Sequence, residues 1–246
     1  MSTATVPAAE ALAPIDLAEI EQVAHLQTRV DRKYLVPLEL ADQLVGEAVP
    51  HGRVLTIDGR TGFGYESVYF DTDDLAAYRA AAGRRRHRFK VRTRTYLDSG
   101  HSVLEVKTRG SRGETVKERI THDAETTTLD RAGIAFIEER IGDLVGDREL
   151  VPTLTTRYRR TTVVDAAVPM RMTIDTDLRC GDGADEVGLD GMAIVEVKSG
   201  ARATPADRWL WAHGVRPLAI SKYAVGVAAL RGLPGNRWRR PLSLVG

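Results

Sequence analysis

The feature that most restricts how this chain can fold is charge returning at every second position along several stretches. In 86–97 the even positions are Arg86, Arg88, Lys90, Arg92, Arg94 and Tyr96, while the odd ones include Phe89, Val91, Thr93, Thr95 and Leu97. In 101–109 Val103, Glu105, Lys107 and Arg109 share one side, with Leu104, Val106 and Thr108 on the other. In 114–120 Lys117 and Arg119 oppose Val116 and Ile120. The stretch 152–164 carries Tyr158 and Arg160 on one side. In 169–178 Met170, Met172, Ile174 and Leu178 alternate with Arg171, Thr173, Asp175 and Asp177, and in 192–199 Glu196 and Lys198 alternate with Val195 and Val197. A period of two is that of a strand with one buried face; a helix would repeat its apolar residues every 3.6.

Helical spacing fills the intervals. Leu17, Ile20, Ala24 and Leu26 predict a helix over 15–27, followed by a strand over 29–36. Pro37 suits the first turn of a helix over 38–49. A strand over 65–71 leads to Asp73, the expected cap of a helix through Ala82, which Gly83 would end in the left-handed conformation. Ile134, Ile137, Ile141 and Leu144 predict a helix over 129–145. Thr204-Pro205 opens a helix whose Trp209 and Trp211 point to different faces, one of them into the core. A last helix is expected over 221–230. Residues 110–113 read as a hairpin turn and the Gly/Asp-rich 181–191 as a mobile loop. Residues 1–14, rich in Ala, Pro, Ser and Thr, read as disordered, and the tail from Gly232 as loose. With no repeat and no linker, the chain reads as one α+β domain over 15–231 with about eight strands.

Charge and cysteine usage narrow the function classes. The 84–119 block holds 12 Lys/Arg and 4 Asp/Glu, leaving 23 and 30 elsewhere in a chain of net charge +1. A protein coating nucleic acid would carry a strongly basic total, so no nucleic-acid partner is expected. A basic block in a neutral chain suits a local anion site, and a solvated basic face is the plainer alternative. Arg84-Arg85-Arg86 either caps its strand in solvent or guides anions. The single cysteine, Cys180, excludes an internal disulfide and a four-cysteine zinc site, and the six histidines lack metal-ligand spacing. No apolar run approaches the ~20 residues of a membrane span. The first residues lack a basic region followed by an apolar one, so no signal peptide is expected and the location reads as cytoplasmic.

Alternation gives each strand two faces without saying which lies inside. An open sheet with a basic face in water fits, and so does a closed sheet with helices outside and charges within. Buried cations need compensation, which carboxylates, a bound polyanion or a metal–phosphate complex would supply.

Nine short motifs occur in order along the strands. They are Lys33-Tyr34, Tyr69-Phe70-Asp71-Thr72, the series Lys90, Arg92, Arg94, then Glu105-Val106-Lys107 and Lys117. Tyr158-Arg159-Arg160-Thr161, Arg171 with Asp175, Glu196-Val197-Lys198, and Ser221-Lys222-Tyr223 follow. In this order they resemble the VTC (polyphosphate polymerase) domain family of the triphosphate tunnel metalloenzyme, or CYTH-like, superfamily, over about residues 29–230. The resemblance implies an eight-stranded antiparallel β-barrel, a tunnel lined by basic residues, with helices packed outside. Tunnel triphosphatases open with Glu-x-Glu-x-Lys; here Arg29-Val30-Asp31-Arg32-Lys33 replaces one acid by Arg, and Lys198 stands where they tend to have a further Glu. Fewer carboxylates and more cations favour holding a long polyanion over two-metal hydrolysis.

The implied activity is transfer of the ATP γ-phosphate onto inorganic polyphosphate. Lys33, Arg92, Arg94, Lys107 and Arg160 would be catalytic. Lys90, Lys117, Tyr158, Arg171, Lys198, Ser221 and Lys222 would bind phosphate. The metal would be Mn²⁺ or Mg²⁺, with Glu196 as first ligand and Glu105 as second unless it pairs with an arginine. Asp175 would orient Arg171, with a place among the metal ligands as the alternative. A tunnel triphosphatase and a non-catalytic polyphosphate-binding module are the alternatives, and any membrane protein that draws off product would be a separate chain.

Overall fold

A computed structural model of the chain describes residues 5–23, 30–110 and 114–246. The first elements are α1 (Pro7–Glu10), β1 (Ala13–Ile15), α2 (Leu17–Val23), β2 (Val30–Pro37) and α3 (Leu38–Ala48). Next come β3 (Arg53–Leu55), β4 (Gly62–Asp71), α4 (Ala76–Ala82), β5 (Phe89–Tyr96), β6 (His101–Arg109) and β7 (Thr115–Thr121). Then follow α5 (Arg131–Val145), β8 (Val151–Asp165), β9 (Met170–Gly181), β10 (Glu186–Gly188) and β11 (Met192–Ser199). The chain closes with α6 (Pro205–Ala212), α7 (Lys222–Leu230), a 3-10 turn (Asn236–Trp238) and α8 (Arg239–Leu242). Arg29 and the predicted helix positions Ala24, Leu26 and Gln27 lie outside the described residues, as do 111–113 of the predicted turn and 1–4 of the predicted disordered segment. The class is α+β. The pairs β2–β11, β11–β9, β9–β10, β3–β8, β4–β5, β5–β6 and β6–β7 are antiparallel, and β1 and β3 run parallel.

The chain forms two compact units. One comprises Met1–Gly64, Tyr158–Leu178 and Leu189–Ile220; the other Tyr65–Arg157, Arg179–Gly188 and Ser221–Gly246. β4, β8 and β9 contribute residues to both.

In the first unit the strand order is β2-β11-β9-β8. The apolar alternate residues Tyr34, Val36, Met172, Ile174, Val195 and Val197 are buried with Leu44 and Val45 of α3 and Leu210 of α6. Each such side chain contributes about 1.5–3 kcal/mol by leaving water. The intervening positions, among them Lys33, Glu196, Lys198 and Arg171, therefore fall on the opposite face. Thr204 and Asp207 cap α6 reciprocally, the Thr204 Oγ1 accepting from the Asp207 amide at 3.1 Å and Asp207 Oδ2 from the Thr204 amide at 2.8 Å. Asp207 also accepts from the Tyr34 hydroxyl at 2.6 Å. Leu210 is the core residue of this helix. Trp209 and Trp211 are both half-buried, their indole N–H groups donating to Glu47 and to the Tyr34 oxygen. Residues 5–14 are structured, in contrast to their composition, because Val6 and Ala9 bury against the α3 cluster.

In the second unit the order is β8-β4-β5-β6-β7. Phe89, Val91, Leu104 and Val106 are buried, as are Phe136, Ile137 and Ile141 of α5. Ile134 is 45% exposed: the buried stripe runs Gly133, Ile137, Ile141, Val145. A Cβ at Gly133 would stand 3.0 Å from Leu104 Cδ2, so the glycine lets α5 approach β6. Asp73 does not cap α4. The cap is remote: Asp71, at the end of β4, accepts from the amides of Ala77 at 2.8 Å and Tyr78 at 3.0 Å, and Thr72 Oγ1 accepts from Ala76 at 3.0 Å. Gly83 ends α4 at φ −77°, and the left-handed residue is Arg84 at φ +52°. The stretch read as a loop contains β10, paired with β9. The tail is anchored by Trp238, 2% exposed. No helix among the described residues is long and apolar enough to cross a membrane, which says nothing of β-barrels.

Candidate functional site

The pleat of β5 puts Lys90, Arg92 and Arg94 on one face of the second unit, and pairing extends that face sideways. Lys90 stands opposite Lys107, and Lys107 opposite Lys117. Arg92 stands opposite Glu105, and Glu105 opposite Arg119. Like charges facing each other across strands are unfavourable, so these six cations need an anion.

Glu105 is the first. It is 1% exposed. Arg92 donates to its Oε2 from Nε at 2.7 Å and again from Nη2, and Lys117 Nζ lies 3.3 Å from Oε1. Burial alone would raise the carboxyl; Arg92, Arg94, Lys107 and Lys117 instead hold it far below the ordinary carboxylate range. Lys107 is driven well below the usual lysine value, first by Arg92 and then by burial, although Glu105 opposes the shift. Burial likewise lowers Lys117. One carboxylate leaves this face cationic and in mutual repulsion, the state in which a multivalent anion is attracted most strongly.

Two of the motifs build the wall behind it. Arg92 Nη1 donates to the Tyr69 hydroxyl at 3.1 Å, and the Tyr69 ring stacks on Tyr223 with centroids 5.2 Å apart. The Tyr223 hydroxyl donates to Asp71, the carboxylate that caps α4, and burial with that charge raises the phenol strongly. Tyr69, Asp71 and Tyr223 are thus positioning residues. Lys90 Nζ donates to Ser221 Oγ at 2.9 Å, and the same oxygen accepts from the Ala224 amide, capping α7. The cap stands at the end of Lys90, with Lys222 next in sequence.

The first unit carries its own charged cluster. Lys33 on β2 pairs in register with Glu196 on β11, and Glu196 Oε1 lies 4.0 Å from Lys33 Nζ and 3.6 Å from Lys198 Nζ. Lys198 stands opposite Arg171 on β9. Burial pushes Lys198 down to about 8, with Arg171 and Arg160 adding to the shift and Glu196 opposing it. Arg160 binds Asp175 through two parallel hydrogen bonds, Nε to Oδ1 at 2.6 Å and Nη2 to Oδ2 at 2.8 Å. Its guanidinium carbon lies 5.4 Å from the Tyr158 ring centroid. Asp175 therefore orients Arg160, on the neighbouring strand, where the spacing points to Arg171. A neighbouring strand is ~5 Å away, whereas four residues along one strand span ~13 Å.

The expected residues thus fall into two sets. Lys90, Arg92, Arg94, Glu105, Lys107, Lys117, Ser221 and Lys222 belong to the second unit, and Lys33, Tyr158, Arg160, Arg171, Glu196 and Lys198 to the first. As metal ligands they differ. Both Glu105 oxygens are engaged, Oε2 by Arg92 and Oε1 by Lys117, the pairing given as the alternative to its holding a metal. Glu196 keeps 14% of its side chain exposed and lies between two lysines at looser distances. No group of three or more His, Cys, Asp or Glu able to hold a metal occurs among the described residues. The donor set fits a hard divalent ion that takes most of its oxygens from a phosphate substrate, and not a caged metal. Cys180 is buried and its thiol is pushed up to about 12 by that burial, so it is not a nucleophile.

The VTC domain model matches residues 28–231 of the chain. No curated protein matches. Among solved structures, a protein from Hippeastrum assigned as an adenylyl cyclase and reported to have a dominant triphosphatase activity is 18% identical, with a TM-score of 0.49, covering 81% of this chain and 95% of that one. A protein from Pyrococcus horikoshii OT3 is 9% identical, with a TM-score of 0.43 and coverage of 80% and 97%. One from Vibrio parahaemolyticus assigned as an adenylate cyclase is 16% identical, with a TM-score of 0.39 and coverage of 84% and 88%.

Proposed function

Because the chain belongs to the VTC domain family, we propose that it is a phosphotransferase of the triphosphate-tunnel kind that moves the γ-phosphate of ATP onto inorganic polyphosphate. The observation that carries this reading is the excess of cations around Glu105. Lys90, Arg92, Arg94, Lys107 and Lys117 crowd one buried carboxylate, and the repulsion that depresses Lys107 is relieved by a bound polyphosphate.

The chemistry asks little of a protein nucleophile. A terminal oxygen of the acceptor phosphate attacks the γ-phosphorus, a new P–O–P bond forms, and the bond to the β,γ-bridging oxygen breaks to release ADP. The acceptor is already anionic, so no base is needed, and positioning with charge stabilisation carries the rate. In the second unit Arg92 and Arg94 offer planar forks to phosphate oxygens, with Lys90, Lys107, Lys117 and Lys222 as point charges. In the first, Lys33, Arg160, Arg171 and Lys198 do the same, and Tyr158 contributes a neutral hydroxyl. A Mn²⁺ or Mg²⁺ ion, held by Glu196 and by substrate oxygens, would supply further charge neutralisation. An ATP-consuming reaction fits a cytoplasmic location.

The test is product analysis. Protein incubated with ATP and Mn²⁺ or Mg²⁺, with and without a short polyphosphate primer, is expected to make long phosphatase-sensitive chains. Free phosphate without chains would make it a hydrolase, and binding without ATP consumption a polyphosphate-binding module.

Lys198 gives the reading a pH signature. Its free value is about 8, and a bound phosphate raises it, because an anion favours the ammonium form. Between those two values binding takes up a proton. The Lys198 contribution to polyphosphate affinity is therefore expected to be constant below about pH 8 and to fall above it, with proton uptake measurable by calorimetry in buffers of different ionisation enthalpy. Lys198→Gln should remove the part of that uptake centred near pH 8 and leave the part due to Lys107; an unchanged uptake would assign all of it to other groups.

A further inference from the structure

The cationic face of β5 does not stop at Lys90. Phe89 pairs with Thr108 at the start of β5; Arg88 immediately precedes that pair, Arg109 immediately follows it at the end of β6, and Arg109 acts electrostatically on Arg88. From Arg94 to Lys90 the basic residues of β5 cover four strand steps, ~13 Å, and Arg88 lies two residues beyond. That is more length than a triphosphate fills.

Two further arginines come to this end from other segments. Arg84 turns the chain out of α4 in the left-handed conformation, φ +52°, with its amide donating to Ala81 O at 3.3 Å. A non-glycine residue held there is strained backbone at a cation. Arg237 comes from the 3-10 turn. Its Nη1 donates to Ala81 O at 3.0 Å, while its Nε is buried with no hydrogen-bond partner among the described residues. The neighbouring Trp238 fixes the turn, buried with its ring 5.9 Å from that of Tyr78. Arg237 lies beyond residue 231, where the family match ends.

We infer that Arg84, Arg88, Arg109 and Arg237 form a second anion site, which holds the distal part of a linear polyphosphate too long for the residues around Glu105. The site rests on the reading of the β5 face as phosphate-binding and extends it to chain length. Electrostatics agree with the geometry. Burial lowers Arg88, and Arg109 and Arg237 lower it further; burial lowers Arg237, and Arg84 and Arg109 add to that. Arginine does not relieve such crowding by losing its proton. An anion does, and the buried Arg237 Nε supplies a donor that is otherwise unused.

The experiment compares affinities for tripolyphosphate and for a long linear polyphosphate, without ATP, at several salt concentrations. In Arg88→Gln/Arg237→Gln the affinity for the long chain should fall about ten-fold or more, with a shallower salt dependence, while tripolyphosphate binding holds. Arg84→Gln/Arg109→Gln changes two exposed side chains and serves as the second variant if the first folds poorly; the same length-selective loss is expected. Equal losses for both lengths, no loss for either, or a wild-type protein that binds neither would overturn the site. So would a single-stranded oligonucleotide that binds as tightly as the long chain and loses as much in the variants. A protein that makes no polyphosphate would refute the proposed reaction and leave the length-dependent binding standing or falling by its own result.

Discussion

Glu105→Ala is expected to cost about 3–5 kcal/mol of unfolding free energy, the effect of removing one partner of a buried ion pair. The loss comes from what stays behind. Arg92 is 8% exposed and would keep its charge without the carboxylate that accepts two of its hydrogen bonds, while Lys107 and Lys117 would lose the carboxylate that opposes their repulsion. Glu105→Gln, which keeps an acceptor oxygen but no charge, should fall between the variant and wild type. Denaturant unfolding at low ionic strength measures all three. Inorganic tripolyphosphate should stabilise Glu105→Ala more than wild type, because a bound anion takes the place of the missing carboxylate and stabilises only the folded state. The pH dependence has a definite sign. The folded carboxyl lies far below its unfolded value of ~4.3, so its contribution is complete above that value and is lost only as pH falls toward the depressed folded one. Mild acid should therefore leave this part of the fold intact. A loss under about 1 kcal/mol would mean that solvent screens the pair as it does at a surface.

The period-two charge on β5, β6, β9 and β11 made the strands and their faces legible, because alternation has a physical cause that no helix reproduces. Register was not legible. That Lys90, Lys107 and Lys117 stand in one row, or that Glu105 meets Arg92, depends on how neighbouring strands slide, and a face pattern is the same at every second register. The role of Glu105 followed from that gap: Glu-x-Lys reads alike whether the glutamate holds a metal or an arginine. Asp71 was hidden for another reason. A cap is sought next to its helix, and this one reaches amides six and seven residues on, with the Tyr223 hydroxyl as third donor. In α5 a 3-4 spacing admits two stripes, and the one through Gly133 won because α5 packs closely on Leu104. At both ends composition misled. Val6, Ala9 and Trp238 are a small share of their segments but lie in the core.

Lys33→Ala is expected to lower kcat of the proposed transfer about 10²–10³-fold, the cost of removing one preorganised charge from a phosphoryl-transfer site. Stability should hardly move. Lys33 Nζ is 4.0 Å from Glu196, its side chain is 35% exposed, and a pair of that kind contributes at most about 1 kcal/mol. Its position is secured from the opposite face of β2, where Tyr34 is buried and hydrogen-bonded to Asp207 and Trp211, so the strand stays in register when Lys33 is shortened. The split between binding and rate carries the information. If Lys33 acts at the transferred phosphate, KM for ATP changes little and kcat carries the loss; if it is one more cation holding the chain, KM rises and kcat stays. Lys33→Arg separates charge from shape. It keeps the cation but replaces a compact ammonium by a planar fork, and should recover substrate binding while regaining only part of kcat. Steady-state kinetics on the three proteins, with a thermal melt of each, decide the matter. A Lys33→Ala enzyme with full kcat would move the reacting phosphate away from β2.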